Sequence, residues 1–422
     1  ANGTGNTLAV YKPSEVQDFA GVQNLHFHTD ELTAGMTTPL LKLGTATKDI
    51  RGLNIGVDRR GDAPKLKKGD KLLLMKTAGS LTTDDKIENK IEGKQGMARR
   101  YTYEIKKENT GELTATVTHA GLGDDAKSPV ETRAGLSNLV NQGADYIVES
   151  GMSAAETALR ADAGSSAKSG KSAQRKTAAT DNASYQLWAG VGANTMRVES
   201  GSHVASKGWN LGVGWAREDE MKDGAKRLFS PFVEYGRGSY DSYLDNGTHG
   251  SGTISYLGIG ILGKLTQQDG LWLEGSVRGG RATSDYQLHG SSDANYDGSN
   301  TYYGIHLGIG KTVELRKDTA IDAYARYFWS HQNGMSVKLS SGDDYDFASV
   351  DSHRLRLGFR YSQKDQQQGE FYTGLAWEYE FDGEARASIG GDAAPSPSLK
   401  GSSTMLELGY RFMPENSRVS YD

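Results

Sequence analysis

The sequence predicts an all-β fold: a transmembrane antiparallel β-barrel in the C-terminal half, preceded by a helical linker and a short β-solenoid. The first observation is a two-residue alternation, in which Trp209, Leu211, Val213 and Trp215 interleave with Gly208, Asn210, Gly212 and Gly214. A strand turns successive side chains to opposite faces, so one side is apolar and aromatic and the other small or polar. The second is recurrence. Tyr303 to Ile309, Leu355 to Tyr361, Phe371 to Phe381 and Leu406 to Phe412 repeat the pattern with Gly, Arg and Glu in the alternate positions. The third is the lack of any run near the roughly 18 consecutive apolar residues that a membrane helix needs. A bilayer would therefore have to be crossed by a barrel.

Which face is the core decides the class. A soluble sandwich turns the apolar face inward, whereas an outer-membrane barrel turns it to lipid and lines a lumen with the polar face. Glycine weakens a strand interior, so an exposed soluble face would carry Thr, Lys and Glu instead. Glycine is better explained where something large passes close to the wall.

Composition bounds the rest. The chain has 422 residues, 54 Gly, 21 Tyr, no Cys, 36% hydrophobic residues and a formal charge of -5. That length suffices for two or three domains. The near-neutral charge gives no reason to expect nucleic acid or an anionic surface as partner. Absence of cysteine suits an oxidising periplasm but is shared by many cytosolic proteins. The chain begins at Ala1 in mid-pattern and is expected to be a mature fragment.

Residues 1–125 read as short strands, Leu8 to Tyr11, Val22 to Phe27, Pro39 to Leu43, Leu53 to Val57 and Lys71 to Met75. Such lengths and spacings suit the rungs of a parallel β-solenoid. Tyr101 to Lys106 and Leu113 to His119 flank Glu108-Asn109-Thr110-Gly111, a hairpin that would close the stack. Residues 126–183 change period: Ala134, Leu136, Leu139, Val140, Ala144, Ile147 and Val148 recur at helical spacing. Arg160 to Asn182 follows as a polar linker or frayed helix.

Residues 184–422 carry the long strands, expected at 184–198, 203–217, 227–240, 250–264, 271–287, 299–315, 319–332, 346–361, 369–384 and 400–413, with Arg418 to Tyr421 opening another. Turns near Gln267 to Gly270, Arg316 to Asp318 and Met413 to Asn416 fall on one side, and loops around 288–298, 333–345 and 385–399 on the other. Short turns inside and long loops outside are the expected asymmetry. Glu218 to Lys226 breaks it, being long for a periplasmic turn. Alternation places Gln186, Glu234, Glu274, Arg278, Asp322, Arg326, Arg354, Arg356, Arg360, Glu378, Glu380, Glu407 and Arg411 on the inner face as pore-lining candidates. Trp188, Trp215, Tyr235, Tyr256, Trp329, Trp377 and Tyr410 are candidates for an interfacial girdle, with Trp188 and Tyr256 on the inner phase.

Chemical motifs carry little. Gly258-Ile259-Gly260-Ile261-Leu262-Gly263 has dinucleotide spacing but lies inside a strand pattern, where no helix opens. His26 and His28 share a strand face without an evident third metal ligand. Asp351, Ser352 and His353 are consecutive in a strand and so diverge instead of forming a triad. No catalytic, cofactor or metal site is expected. Arg60-Gly61-Asp62, in a loop before Pro64, is a cell-attachment candidate, with a charged turn as the plainer reading.

Asn141-Gln142-Gly143-Ala144-Asp145 after a helical start, then Gly201-Ser202-His203-Val204 leading into a Gly/Trp-rich strand, resembles the helix-to-barrel junction of monomeric (type V) autotransporters. The resemblance implies a twelve-stranded outer-membrane barrel, C-terminally truncated here, that anchors and exports an N-terminal passenger displayed at the cell surface. Some part of 131–183 would then occupy the lumen. It also implies, as partners, outer-membrane lipid and lipopolysaccharide, the barrel-assembly machinery and periplasmic chaperones, the chain's own linker in the pore, and a host-cell surface for an adhesive or virulence-linked passenger. The barrel would be a monomer. Thr180-Asp181-Asn182 does not reproduce the paired-Asn pattern of self-cleaving members. A porin or transporter with an N-terminal β domain is the alternative; a soluble all-β binding protein is a third.

Overall fold

Two β systems of opposite character are joined by one helical segment. The computed structural model describes residues 5–83, 90–168, 185–199, 202–290, 294–364 and 369–412. The strand expected at Arg418 to Tyr421, the turn at Met413 to Asn416, Gly201 and most of the polar linker, with Thr180 to Asn182, lie outside these residues.

The N-terminal part is a parallel solenoid. Thr7–Val10, Asn24–His28 and Asn54–Asp58 stack in one parallel sheet, and Ser14–Val16, Leu41–Leu43 and Lys71–Thr77 in another. Rung partners such as Asn24 with Asn54, and Leu41 with Met75, follow each other in register. Asn54 Nδ2 donates to Asn24 Oδ1 at 2.9 Å, a side-chain ladder of the kind stacked strands permit. Leu25, Phe27, Leu41, Leu43, Leu74, Tyr101 and Tyr103 form its core. Each fully buried large side chain contributes about 1.5–3 kcal/mol. The predicted hairpin is Arg99–Glu108 with Glu112–Leu122; Asn109 turns it with φ 54°, a value Asn tolerates better than most residues.

The C-terminal part is a single antiparallel sheet of ten strands, each paired with its neighbours in chain order. These are β1 (Gln186–Glu199), β2 (His203–Glu220), β3 (Lys226–Tyr243), β4 (His249–Thr266), β5 (Leu271–His289), β6 (Asn295–Arg316), β7 (Thr319–Gln332), β8 (Val350–Lys364), β9 (Gly369–Glu380) and β10 (Gly401–Phe412). The sheet curls around the helix, with β1 and β10 as its edges among the described residues. Val191, Ile259, Leu307, Leu357, Leu406 and Leu408 are exposed on the convex face. Trp188 and Tyr256 are buried on the concave one.

One expectation is corrected at the rim. β2 runs to Glu220 and β3 starts at Lys226, so the connection is a tight turn closed by Met221 N donating to Ala225 O at 2.8 Å. Lys226 and Arg227 reach back across it to Glu218 and Asp219 at 3.1 and 3.2 Å. It joins the short turns after β4 and β6 at the same end. At the opposite end, loops of β7–β8 and β9–β10 build a sheet of their own from Met335–Lys338, Asp344–Phe347, Ala387–Ile389 and Asp392–Ala393. That is why β8 begins at Val350 rather than near 346, since Phe347 pairs within the loop sheet. The solenoid rests on this end, termed the outer end, and the short turns mark the inner end.

Candidate functional site

The concave face holds a helix. A short 3-10 turn, Asp124–Lys127, leads into α1 (Ser128–Tyr146), with Pro129 in its first turn, where the missing N–H costs nothing. A π turn, Ile147–Gly151, connects to α2 (Met152–Lys168). With 19 residues α1 spans roughly 28 Å, the thickness of a bilayer core. It packs against β2, β3, β4, β5, β7 and β8, while the π turn and α2 lean on β1 and β2. Residues 128–143 are buried on every side although half of them are polar. A helix of that composition would not bury itself in an apolar core.

Small residues allow the close fit. A Cβ on Gly143 would overlap the Tyr256 hydroxyl, and one on Gly212 would lie 3.1 Å from the Ile147 side chain. Gly208 faces Leu139, and Gly190 and Gly192 face the Tyr146 ring. Gly135 and Gly143 each cost α1 about 1 kcal/mol of helix propensity, so contact with the wall has to compensate. The residual cavity bordered by Asn141, Ala144, Ser276, Arg278 and Ser330 is about 10 Å³, room for at most one water.

Polar groups of the helix are answered by the wall along its length. Near the outer end Tyr286 Oη donates to Ser128 Oγ at 2.8 Å, Thr132 and Tyr240 hydroxyls lie 2.6 Å apart, and Ser202 donates to buried Glu131 at 2.5 Å. Arg133 Nη2 donates to the Asn333 carbonyl at 2.9 Å. Further in, Gln332 donates to Ser137 at 3.0 Å, and Asn141 donates to Ser352 and accepts from Ser330 at 3.0 and 2.8 Å. At the inner end Lys264 Nζ meets Glu156 of α2 at 2.9 Å, beside a cleft of about 750 Å³ where the segment leaves the sheet.

The densest chemistry is ionic. Arg356 contacts Asp145 and Glu149 of the helical segment at 2.9 and 2.7 Å and Glu378 of β9 at 2.8 Å. Arg354 contacts the other Asp145 oxygen at 2.9 Å and Glu378 at 3.3 Å, and also reaches the Asn141 carbonyl. Arg326 bridges Glu274 at 2.8 Å and Glu149 at 3.7 Å, and His306 lies 3.5 Å from Glu274. Arg354 and Arg356 are almost wholly buried. Charges in such a place persist only when paired. The helix supplies two of the carboxylates.

The other pore-lining candidates divide by neighbourhood. Arg278 and Glu234 pair at 3.0 Å, with Tyr302 donating to Glu234 at 2.6 Å. Arg360 pairs with Glu407 through Nε at 2.9 Å, and Arg411 with Glu370 at 3.4 Å. Glu380 accepts from Ser352 at 2.5 Å, and Asp322 from Trp272 and Thr312, both at 2.8 Å. Gln186 stands half-buried at the inner end of β1, apart from these groups. Asp145, Glu149 and Asn141 were outside the predicted set. Their spacing of four residues, a polar stripe on an otherwise apolar pattern, is the signal that could have found them.

Arg60-Gly61-Asp62 lies in the seam between solenoid and outer loops. Gly61 N donates to Ser341 O at 2.9 Å, and Asp62 pairs with Arg60 at 3.2 Å and Lys338 at 3.3 Å. Met97 N donates to Asp343 at 2.7 Å, and Asp392 binds both Lys65 and Arg99. The tripeptide is thus engaged inside the molecule, with a Cβ on Gly61 excluded by the backbone of Gly342 and Asp343. His26 pairs with Asp58 at 3.0 Å on the solenoid flank.

Comparison with known proteins bears on the strand domain. The family model of the autotransporter beta-domain matches residues 187–420, more than half of the chain. No curated protein matches significantly. Among solved structures, the beta domain of the Bordetella autotransporter BrkA is 17% identical, covering 54% of this chain and 99% of that one, with TM-score 0.41. The transport unit of AIDA-I from Escherichia coli is 12% identical, over 61% of this chain and 87% of that one, with TM-score 0.41. The translocator domain of NalP from Neisseria meningitidis is 16% identical, over 61% and 85%, also with TM-score 0.41. The family is one of translocator barrels, not of enzymes. With alternation, strand series and family model in agreement, the chain belongs to the autotransporter family, its strand domain an outer-membrane translocator barrel.

Proposed function

We propose that the helical segment is the tether of an exported passenger, held in the lumen after export, and that it seals the barrel it came through. The observation that carries this reading is the set of ion pairs from Arg354 and Arg356 of the wall to Asp145 and Glu149 of the helix. Pore-lining charge in a porin would bind water; here Arg326, Arg354 and Arg356 pair both with neighbouring strands and with carboxylates of the chain's own linker. In this reading Arg278, Arg326, Glu234 and Glu274 shape the same polar wall, and the domains divide near 125 and 183. A porin or transporter barrel is less well supported, because residues 128–143 of α1 are buried against the wall along the lumen, where an aqueous channel would stand open.

The barrel works as a monomer, inserted by the assembly machinery with periplasmic chaperones delivering the chain. An adhesive or virulence-linked role belongs to the passenger. Arg60-Gly61-Asp62 would contribute to attachment only after the seam with Ser341 and Lys338 opens. The test is conductance in planar bilayers. The full chain is expected to show near-zero current and a chain lacking residues 1–151 an open channel; equal currents would refute the plug.

A further inference from the structure

The convex face is not symmetric between its two membrane boundaries. At the inner boundary three outward-pointing cations of the strands are paired within the protein: Arg217 and Arg227 with Asp219 at 2.9 and 3.2 Å, and Lys311 with Asp269 at 3.0 Å. At the outer boundary stand Lys207 of β2, Arg237 of β3 and Arg281 of β5, all exposed. Among the described residues none of the three has a carboxylate within ion-pair distance; Arg281 donates to Ser299 Oγ at 2.6 Å. The nearest acids higher on the face are already engaged, Asp241 by His249 at 3.1 Å and Asp285 by the Thr253 amide at 2.9 Å.

Register brings the three together. Arg237 lies opposite Trp209, two residues from Lys207, so these cations are diagonal neighbours, with Cβ atoms about 7–8 Å apart. Arg237 also lies opposite Ser255, and Arg281 opposite Leu257 on the far side of the same strand, so two strand spacings, roughly 10 Å, separate the guanidinium stems. Directly below are the lipid-facing Leu211, Val233, Leu257, Ile259 and Val277. Trp209 and Tyr235 lie beside the cations, their rings tilted by 52° with centroids 5.2 Å apart, as aromatics gather at a headgroup boundary.

We propose that Lys207, Arg237 and Arg281 form a binding site for the phosphate groups of the lipid A glycolipid in the outer leaflet. Cations held at the edge of an apolar belt, unpaired and spaced across neighbouring strands, fit an amphiphile with more than one phosphate above several acyl chains. Arginine adds bidentate hydrogen bonding to phosphate oxygens. The paired cations of the inner boundary have no such capacity to spare. This inference rests on the orientation with the solenoid outside the cell.

The test uses the full chain, folded into phosphatidylethanolamine vesicles containing either lipid A or its dephosphorylated form at equal mole fraction. Lipid retained by the protein after mild detergent extraction is measured by mass spectrometry. Wild type should prefer the phosphorylated form, with each charge contributing about fivefold. K207Q/R237Q/R281Q should lose the preference, R237Q alone should weaken it by about fivefold, and R237K should restore most of it. The control R217Q/R227Q/K311Q should behave as wild type. Equal retention of the two lipids by wild type, or an undiminished preference in the folded outer-boundary variants, overturns the site while leaving the barrel intact. A wild-type chain that inserts into neither vesicle overturns the membrane reading together with it.

Discussion

Solenoid and barrel use the same two-residue period and face opposite solvents with it. Phe27 of the solenoid is fully buried among Leu25, Leu43 and Val57, whereas Leu408 of the barrel is 73% exposed. The solenoid keeps its charged pairs outside, as Lys71 with Glu108; the barrel keeps Arg354 and Arg356 inside. What differs is the medium the convex surface meets. Hydrocarbon rewards an apolar exterior, and the polar face must then be satisfied within, by neighbouring strands and by whatever occupies the lumen. α1 can bury Glu131, Arg133, Asn138 and Asn141 beside Leu136 and Leu139 because it lies in this second kind of interior.

The comparison breaks most sharply at Arg356. Replacing it by Ala would leave the partly buried Asp145, Glu149 and Glu378 with only Arg354 and Arg326 beside them, and since loss of one partner from a fully buried ionic pair costs about 3–5 kcal/mol, the cost here is at most that. The expected outcome is a helix loosened in the lumen, seen as intermittent current in planar bilayers and as earlier loss of the folded band on heating before electrophoresis. Removing a surface pair of the solenoid should do almost nothing, since exposed pairs contribute about 0–1 kcal/mol. An Arg356→Ala chain as tight and as heat-resistant as wild type would show that the wall does not depend on the helix.

The second contrast concerns the convex face. Ile259 lies near the middle of β4 with its side chain toward lipid, and a lysine there should cost about 2–4 kcal/mol in a bilayer. Thr47, exposed on the solenoid, should accept lysine within about 0.5 kcal/mol. Urea unfolding in vesicles, followed separately by tryptophan emission of the barrel and proteolysis of the solenoid, reads both. If Ile259→Lys were as silent as Thr47→Lys, the exposed apolar face would not be meeting hydrocarbon.

Much of this contrast was legible in the sequence. The alternation around Trp209 to Trp215 located β2 and its outward face, and the inner phase of Trp188 and Tyr256 matches their burial. Long periodic strands carry many repeats of the signal. The loop sheet carries few: Asp392–Ala393 has two residues and Met335–Lys338 four, too short for any period, and its partners come from separate loops. Glu218 to Glu220 read as loop by polarity, while their pairing with Leu228, Arg227 and Lys226 makes them strand and shortens the turn after β2. Arg354 and Arg356 could be assigned to the inner face, but not their contacts with Asp145 and Glu149. Those depend on how the helix is rotated and set along the lumen, which no local pattern encodes.

The smallest expected effect lies at the seam where the two systems touch. The hydrogen bond from Arg60 holds the Asp62 carboxyl below its ordinary value of 3.8, with burial opposing and Lys338 assisting. The Arg99 bond, then that of Lys65, does the same for Asp392. A depressed carboxylate contributes stability that is present above its unfolded pKa and lost as pH falls through the folded one. Asp343 runs the other way: burial raises it despite the bond from Met97 N, so its contribution is present below 3.8 and lost as pH rises through the raised value. Two groups against one predict that acidification below pH 3.8 loosens the seam. Side-chain exposures of 35% for Asp62 and 51% for Asp392 limit each to less than about 1 kcal/mol after solvent screening. Hydrogen exchange at residues 59–63 and 390–393 should rise on acidification, beyond the intrinsic change, while α1 stays protected. Unchanged protection of the seam would mean that its backbone bonds, such as Gly61 to Ser341, and not its charges, keep the solenoid seated on the barrel.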